Sequence, residues 1–165
     1  MRSGGVVAVF LALVIAASVG ACGPTPDITT TLEAADVSTG WFDAGVENGK
    51  NKLVPTVTLT LKNIGGASVQ AVQLNAIVRR IGETEEWDAV YVRVIGSGSE
   101  GLAPGASTSP IVLRSRLGYT GIEPRAQMLQ NKQFVDARVQ VFVKRGSAQW
   151  AKLGEWPVKR ELLVK

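Results

Sequence analysis

Between residues 55 and 158 the chain repeatedly alternates aliphatic and polar side chains with a period of two. The cleanest stretch is Thr56-Val57-Thr58-Leu59-Thr60-Leu61-Lys62, where every second residue is aliphatic. Such alternation predicts a strand with one buried face. Pro55 suits its start, where a missing N–H breaks no ladder bond. The rhythm returns in Val72, Leu74, Ala76 and Val78, with Ile77 interrupting the polar side. Val90, Val92 and Val94 repeat it, as do Ile111 and Leu113, extending toward Leu117. The longest run is Val135, Ala137, Val139, Val141 and Val143, and Trp150 to Val158 supplies a last strand. Earlier, Ile28 to Ala34 reads as a first strand, and Val37 to Val46 as a second broken at Gly40 and Gly45. Asn48-Gly49 predicts a hairpin turn, because both positions must tolerate positive φ.

Between these runs lie an acidic turn from Glu83 to Asp88 and a glycine-rich loop from Gly96 to Ser109. Gly118 to Gln133 has no strand rhythm; Pro124 there suits the first turn of a short helix through Leu129. Roughly seven to nine short strands with no long helix between them predict an all-β antiparallel sandwich rather than a parallel α/β sheet.

The first residues carry a different pattern. Met1-Arg2 is basic, Val6 to Ala17 is continuously apolar, and small residues follow, the three parts of an export signal. An uncleaved spanning helix would need about 20 apolar residues, and Gly20, Gly23, Pro24 and Pro26 interrupt one. Val19-Gly20-Ala21-Cys22 resembles the lipobox of bacterial lipoproteins. That resemblance implies cleavage between Ala21 and Cys22, with diacylglycerol and palmitate-type chains on Cys22. The division expected is a signal peptide at residues 1–21, a lipidated cysteine and stiff Gly-Pro-Thr-Pro tether at 22–26, and the sandwich at 27–165. Cys22 is the sole cysteine, so it has no disulfide or metal-ligand partner of its own kind.

Two further stretches carry a second resemblance. Val57-Thr58-Leu59-Thr60-Leu61-Lys62-Asn63 precedes a glycine turn, and Leu102-Ala103-Pro104-Gly105-Ala106-Ser107 follows later. Together they resemble immunoglobulin-like envelope domains of the FxLYD and CARDB kinds, although Ile77-Val78-Arg79-Arg80 stands where Leu-Tyr-Asp would fall. The resemblance implies an immunoglobulin-like sandwich.

Composition changes the picture mainly by what it lacks. The chain has no histidine, which removes Ser-His-Asp and Cys-His catalysis and most zinc sites. Gly96-Ser97-Gly98-Ser99-Glu100-Gly101 lacks the lysine and following helix of a phosphate loop. Ser115-Arg116-Leu117-Gly118 lacks the lysine of a Ser-x-x-Lys hydrolase motif. No enzyme and no cofactor are expected. Glu83, Glu85, Glu86 and Asp88 cluster, but without the alternating spacing of a calcium loop. The net charge of +4 is modest. Its bases concentrate toward the C-terminus, with nine from Arg125 to Lys165 against three acids. No basic-aromatic cluster signals nucleic acid. Tyr91 and Phe142 fall on the outward side of their strands. Trp41, Trp87 and Tyr91 are the candidate binding patch, suited to a protein partner or to stacking on sugars. The expected role is a lipid-anchored module of the bacterial cell envelope that binds a protein partner, by strand addition at exposed edges among other routes. The alternative is a carbohydrate- or peptidoglycan-binding module using the aromatics.

Overall fold

The computed structural model describes residues 27–163. The expected signal, lipidated Cys22 and tether therefore lie outside the described residues.

Asp27 opens the fold by accepting a hydrogen bond on its carboxylate from the Thr29 N–H, which caps a single 3-10 turn, Ile28–Thr30. The expected strand from Ile28 is thus a turn followed by a much longer strand, β1 (Leu32–Glu47). β1 runs through Gly40, which stays in register opposite Thr56. Two bulges absorb the irregularity instead, between Ala35 and Ser38 and between Asp43 and Val46. Positive φ values sit there, at Asp36 (50°) and Gly45 (89°). Bulges bend and twist a strand without ending it.

The Asn48-Gly49 turn forms as expected, with φ of 51° and 77°, and returns the chain as β2 (Lys50–Asn63). Then follow β3 (Val72–Arg80), β4 (Asp88–Ile95), β5 (Ile111–Arg114), β6 (Tyr119–Gly121), helix α1 (Arg125–Met128), β7 (Ala137–Arg145), β8 (Ala151–Pro157) and β9 (Leu162–Leu163). One sheet has the order β5-β2-β1-β9, with β6 also on β2, and the other the order β4-β3-β7-β8. Pairing is antiparallel except that β9 lies parallel to β1. The chain changes sheets between β2 and β3, between β4 and β5, between β6 and β7, and between β8 and β9. The result is an all-β sandwich of immunoglobulin-like arrangement.

The core is built by the alternation read above. Val57, Leu59 and Leu61 meet Val72, Leu74, Ala76 and Val78, and Ala137, Val139, Val141 and Val143, all nearly without exposure. The two resembling stretches touch each other through Asn63. Its buried side chain donates to the Ala67 and Leu102 carbonyls and accepts from the Gly65 N–H. Its backbone bonds Gly105 and Ala106. A strand-ending asparagine and a Leu-x-Pro-Gly step are therefore two halves of one hydrogen-bonded corner.

Two strands carry no rhythm in the sequence. β6 needs Gly118 beside it, since a Cβ there would lie 2.0 Å from the Leu53 carbonyl oxygen. β9 is two residues long and packs over Gly40, where a Cβ would meet the Leu163 side chain at 2.7 Å.

Candidate functional site

The strands give the sandwich two ends. Asp27, the β2–β3 turn and the β7–β8 turn share one end, bordering a cleft of about 790 Å³ beside Thr31, Arg145 and Trp150. The β1–β2 hairpin, the acidic turn, β6 and α1 share the other. Along β2, with 14 residues, the ends stand roughly 40 Å apart at about 3.3 Å per residue.

The far end holds a cluster of rings. Trp41 and Phe134 pack edge to face at 4.6 Å between centroids, Tyr119 lies 4.7 Å from Phe134, and Trp87 lies 5.0 Å from Tyr119. Arg80 covers Trp87 at 5.5 Å and Arg160 covers Phe134 at 5.2 Å. Arg160 is fixed by donating to the Leu129 and Phe134 carbonyls and to the Asp136 carboxylate at 2.6 Å. That last bond raises the guanidinium pKa. Against this cluster opens a cleft of about 520 Å³ lined by Tyr119, Met128 and Phe134, with Lys50, Ile122 and Glu123 at its mouth. Ile122 is 81% exposed. The lining is mixed, with Thr120, Asn131 and Gln133 beside the apolar and aromatic groups.

The acidic turn disperses its charges. Glu83 pairs with Arg80 and Glu86 with Arg79, while Asp88 turns inward and is buried. Its carboxylate accepts from the Ser115 hydroxyl (2.9 Å), the Arg116 N–H (2.7 Å), the Arg116 guanidinium (3.1 Å) and the Ala89 N–H (2.9 Å). Burial acts to raise its pKa. The four donors outweigh burial and hold it below the ordinary carboxylate value. Since Asp88 begins β4 and Ser115 follows β5, this contact fastens one sheet to the other.

The expected patch of Trp41, Trp87 and Tyr91 does not form. Trp41 stands opposite Pro55 on the inward side of β1 and is fully buried. Trp87 is half-buried, 6.4 Å from it. Tyr91 lies elsewhere, 67% exposed on the outer face of the β4-β3-β7-β8 sheet. Trp87 shares the parity of Tyr91 but lies in the turn before β4, where its N–H bonds the Val78 carbonyl and its ring packs on Tyr119, while Tyr91 alternates outward within the strand.

That outer face has its own ring group. Tyr91 and Phe142 flank Asn75 in register on the two neighbouring strands, and Trp150 reaches within 6.2 Å of the Tyr91 ring. The Lys144 ammonium sits 4.8 Å over Trp150. Asn75 is only 7% exposed, yet its side-chain oxygen has no hydrogen-bond partner. A buried, unpaired amide costs about 1–3 kcal/mol. Parity alone placed Tyr91 and Phe142 outward; Trp150 joins them from a turn, where no rhythm marks it. Ile122 and Tyr119 were hidden in the segment without periodicity.

No family model matches this chain, and no curated protein matches it. Among solved structures, one described as "X-ray structure of Northeast Structural Genomics Consortium target SoR45" is similar to it at 12% identity and a TM-score of 0.42, over 80% of this chain and 89% of that one.

Proposed function

We propose that this chain is a bacterial lipoprotein that presents an immunoglobulin-like module to a protein partner in the cell envelope. Acyl chains on Cys22 hold it to a bilayer; each buried methylene contributes about 0.8 kcal/mol, and two chains suffice for stable attachment. Four residues lie between Cys22 and Asp27, so the five Cα–Cα steps reach at most ~17 Å. The Asp27 end then faces the membrane, and the larger cleft there opens onto it. The opposite end faces away.

One observation carries the partner reading: the exposed Ile122 beside a ring-floored cleft, at the end opposite Asp27. Confinement at a surface raises effective concentration, so a small contact is enough.

The test uses the full lipidated chain in cells with a photo-crosslinking residue at Thr120. A discrete protein adduct that disappears with Ile122→Asp is expected, while a crosslinker at Val112 on the β5 edge gives none. Equal adducts at both positions, or an adduct indifferent to Ile122→Asp, would refute the assignment.

A further inference from the structure

We propose that the cleft at the Asp27 end holds the headgroup of a zwitterionic phospholipid of the adjoining bilayer, with Arg145 on its phosphate and Asp27 on a primary ammonium, as in phosphatidylethanolamine. This rests on the attachment through Cys22 proposed above and gives a ligand to the face which that attachment turns toward the membrane.

Position is the first observation. Asp27 begins the described residues and also lines the cleft of about 790 Å³. With four residues between it and Cys22, the cleft mouth lies within reach of lipid headgroups.

Charge comes next. Two residues of opposite sign line the cleft, and neither is engaged in an ion pair. Arg145 has the parity of Val139, Val141 and Val143, the inward row of β7. It is the last of that row, so its side chain emerges at the end of the core and not on the outer face of the sheet. Among the described residues its guanidinium meets no carboxylate and no other hydrogen-bond acceptor. Asp27 caps the 3-10 turn through Oδ1, which accepts from the Thr29 N–H at 3.0 Å, and no cation among the described residues meets its carboxylate. A guanidinium suits a phosphate through its planar fork, and a carboxylate suits an ammonium that donates N–H bonds. A ligand carrying both groups satisfies the two residues together, whereas a phosphate alone would stand against Asp27 unrelieved.

The walls favour a lipid over a soluble zwitterion. Ile28, Val69, Ala148 and Ala151 line the cleft, and the first two belong to the buried core. Trp150 borders it, with Lys144 at 4.8 Å and Tyr91 at 6.2 Å from its ring. Tryptophan, with an apolar body and a polar edge, sits well at headgroup level. The diacylglycerol proposed for Cys22 brings no phosphate to Arg145, so the occupant is a separate lipid of the bilayer.

In the test, the purified full chain in detergent micelles is mixed with equal amounts of phosphatidylethanolamine, phosphatidylcholine and phosphatidylglycerol. Native mass spectrometry then measures which lipid each chain retains. Phosphatidylethanolamine is expected above both others, because phosphatidylcholine has no N–H for Asp27 and phosphatidylglycerol has no cation. Asp27→Asn keeps the cap, since asparagine caps as well as aspartate. It should abolish the preference over phosphatidylglycerol, a ratio read within one sample and so insensitive to lost protein. Arg145→Gln should lower phosphatidylethanolamine retention by roughly fivefold, the scale of a partly exposed ion pair. Glycerophosphoethanolamine, the same headgroup without acyl chains, should not compete at equal concentration. Equal retention of the three lipids, a preference that survives Asp27→Asn, retention indifferent to Arg145→Gln, or full competition by glycerophosphoethanolamine would each overturn the proposal. Intact mass of the same sample reads acylation of Cys22 separately. An acylated chain without lipid preference removes this site alone, and an unacylated chain that prefers phosphatidylethanolamine keeps the site and removes the anchor.

Discussion

Asp88 and Trp41 show how far a single residue can be read in advance. In sequence Asp88 is one of four neighbouring acids, and nothing separates it from Glu83, Glu85 and Glu86. The fold separates them, because Asp88 takes the inward position opposite Val78 while the others stay in the turn. Its lowered pKa has a definite sign. A carboxyl whose folded pKa lies below its unfolded value stabilises the fold above the unfolded pKa and loses that contribution as pH falls through the folded one. Stability should therefore decline as pH drops below the ordinary value of 3.8. Asp88→Asn should flatten this acid limb and cost about 1–3 kcal/mol at neutral pH, by leaving the Arg116 N–H and Ser115 hydroxyl poorly matched. Urea denaturation across a pH series measures both. Trp41 teaches the converse. Its candidate role as an exposed binder rested on residue type, but the bulge between Ala35 and Ser38 sets the facing of the residues that follow, and Trp41 points inward.

At the level of elements, β2, β3 and β7 were legible because each buries one face and exposes the other. A one-residue slip would turn the entire aliphatic set outward, so the pattern must be strict. β1 was harder. It carries bulges, and Gly40 resembles a break although its small size serves contact with β9. β6 and β9 are three and two residues long, too short for any period to register. Their signals are steric. Gly118 is the sharpest: Gly118→Ala drives a Cβ into the Leu53 carbonyl and should cost about 1–3 kcal/mol, the range for overpacking. Gly66→Ala, with open space around it, should be nearly neutral. Paired thermal melts of the two variants check this.

For the molecule as a whole, sandwich architecture followed from strand count and turn spacing, whereas the proposed partner site required three dimensions. The Ile122 cleft assembles residues from the aperiodic segment. The proposed membrane attachment rests on residues preceding the sandwich. Cys22→Ser should shift the protein from the membrane to the aqueous fraction, or leave it unprocessed, on fractionation and intact-mass measurement; unchanged attachment would remove the anchor from the account.

The parallel pairing of β9 with β1 joins residues near opposite ends of the chain, Trp41 with Leu162 and Phe42 with Leu163. Contacts so distant in sequence form late, after loop closure has been achieved elsewhere. During synthesis, that flank of β1 stays bare until residues 162 and 163 have been delivered. A nascent chain stalled before residue 161 would present that flank, with its unbonded amides, as a template for pairing with a neighbour. Forms ending before residue 161 should accordingly be recovered as oligomers or protease-sensitive species, because the β1 flank opposite Leu162 and Leu163 is then uncovered.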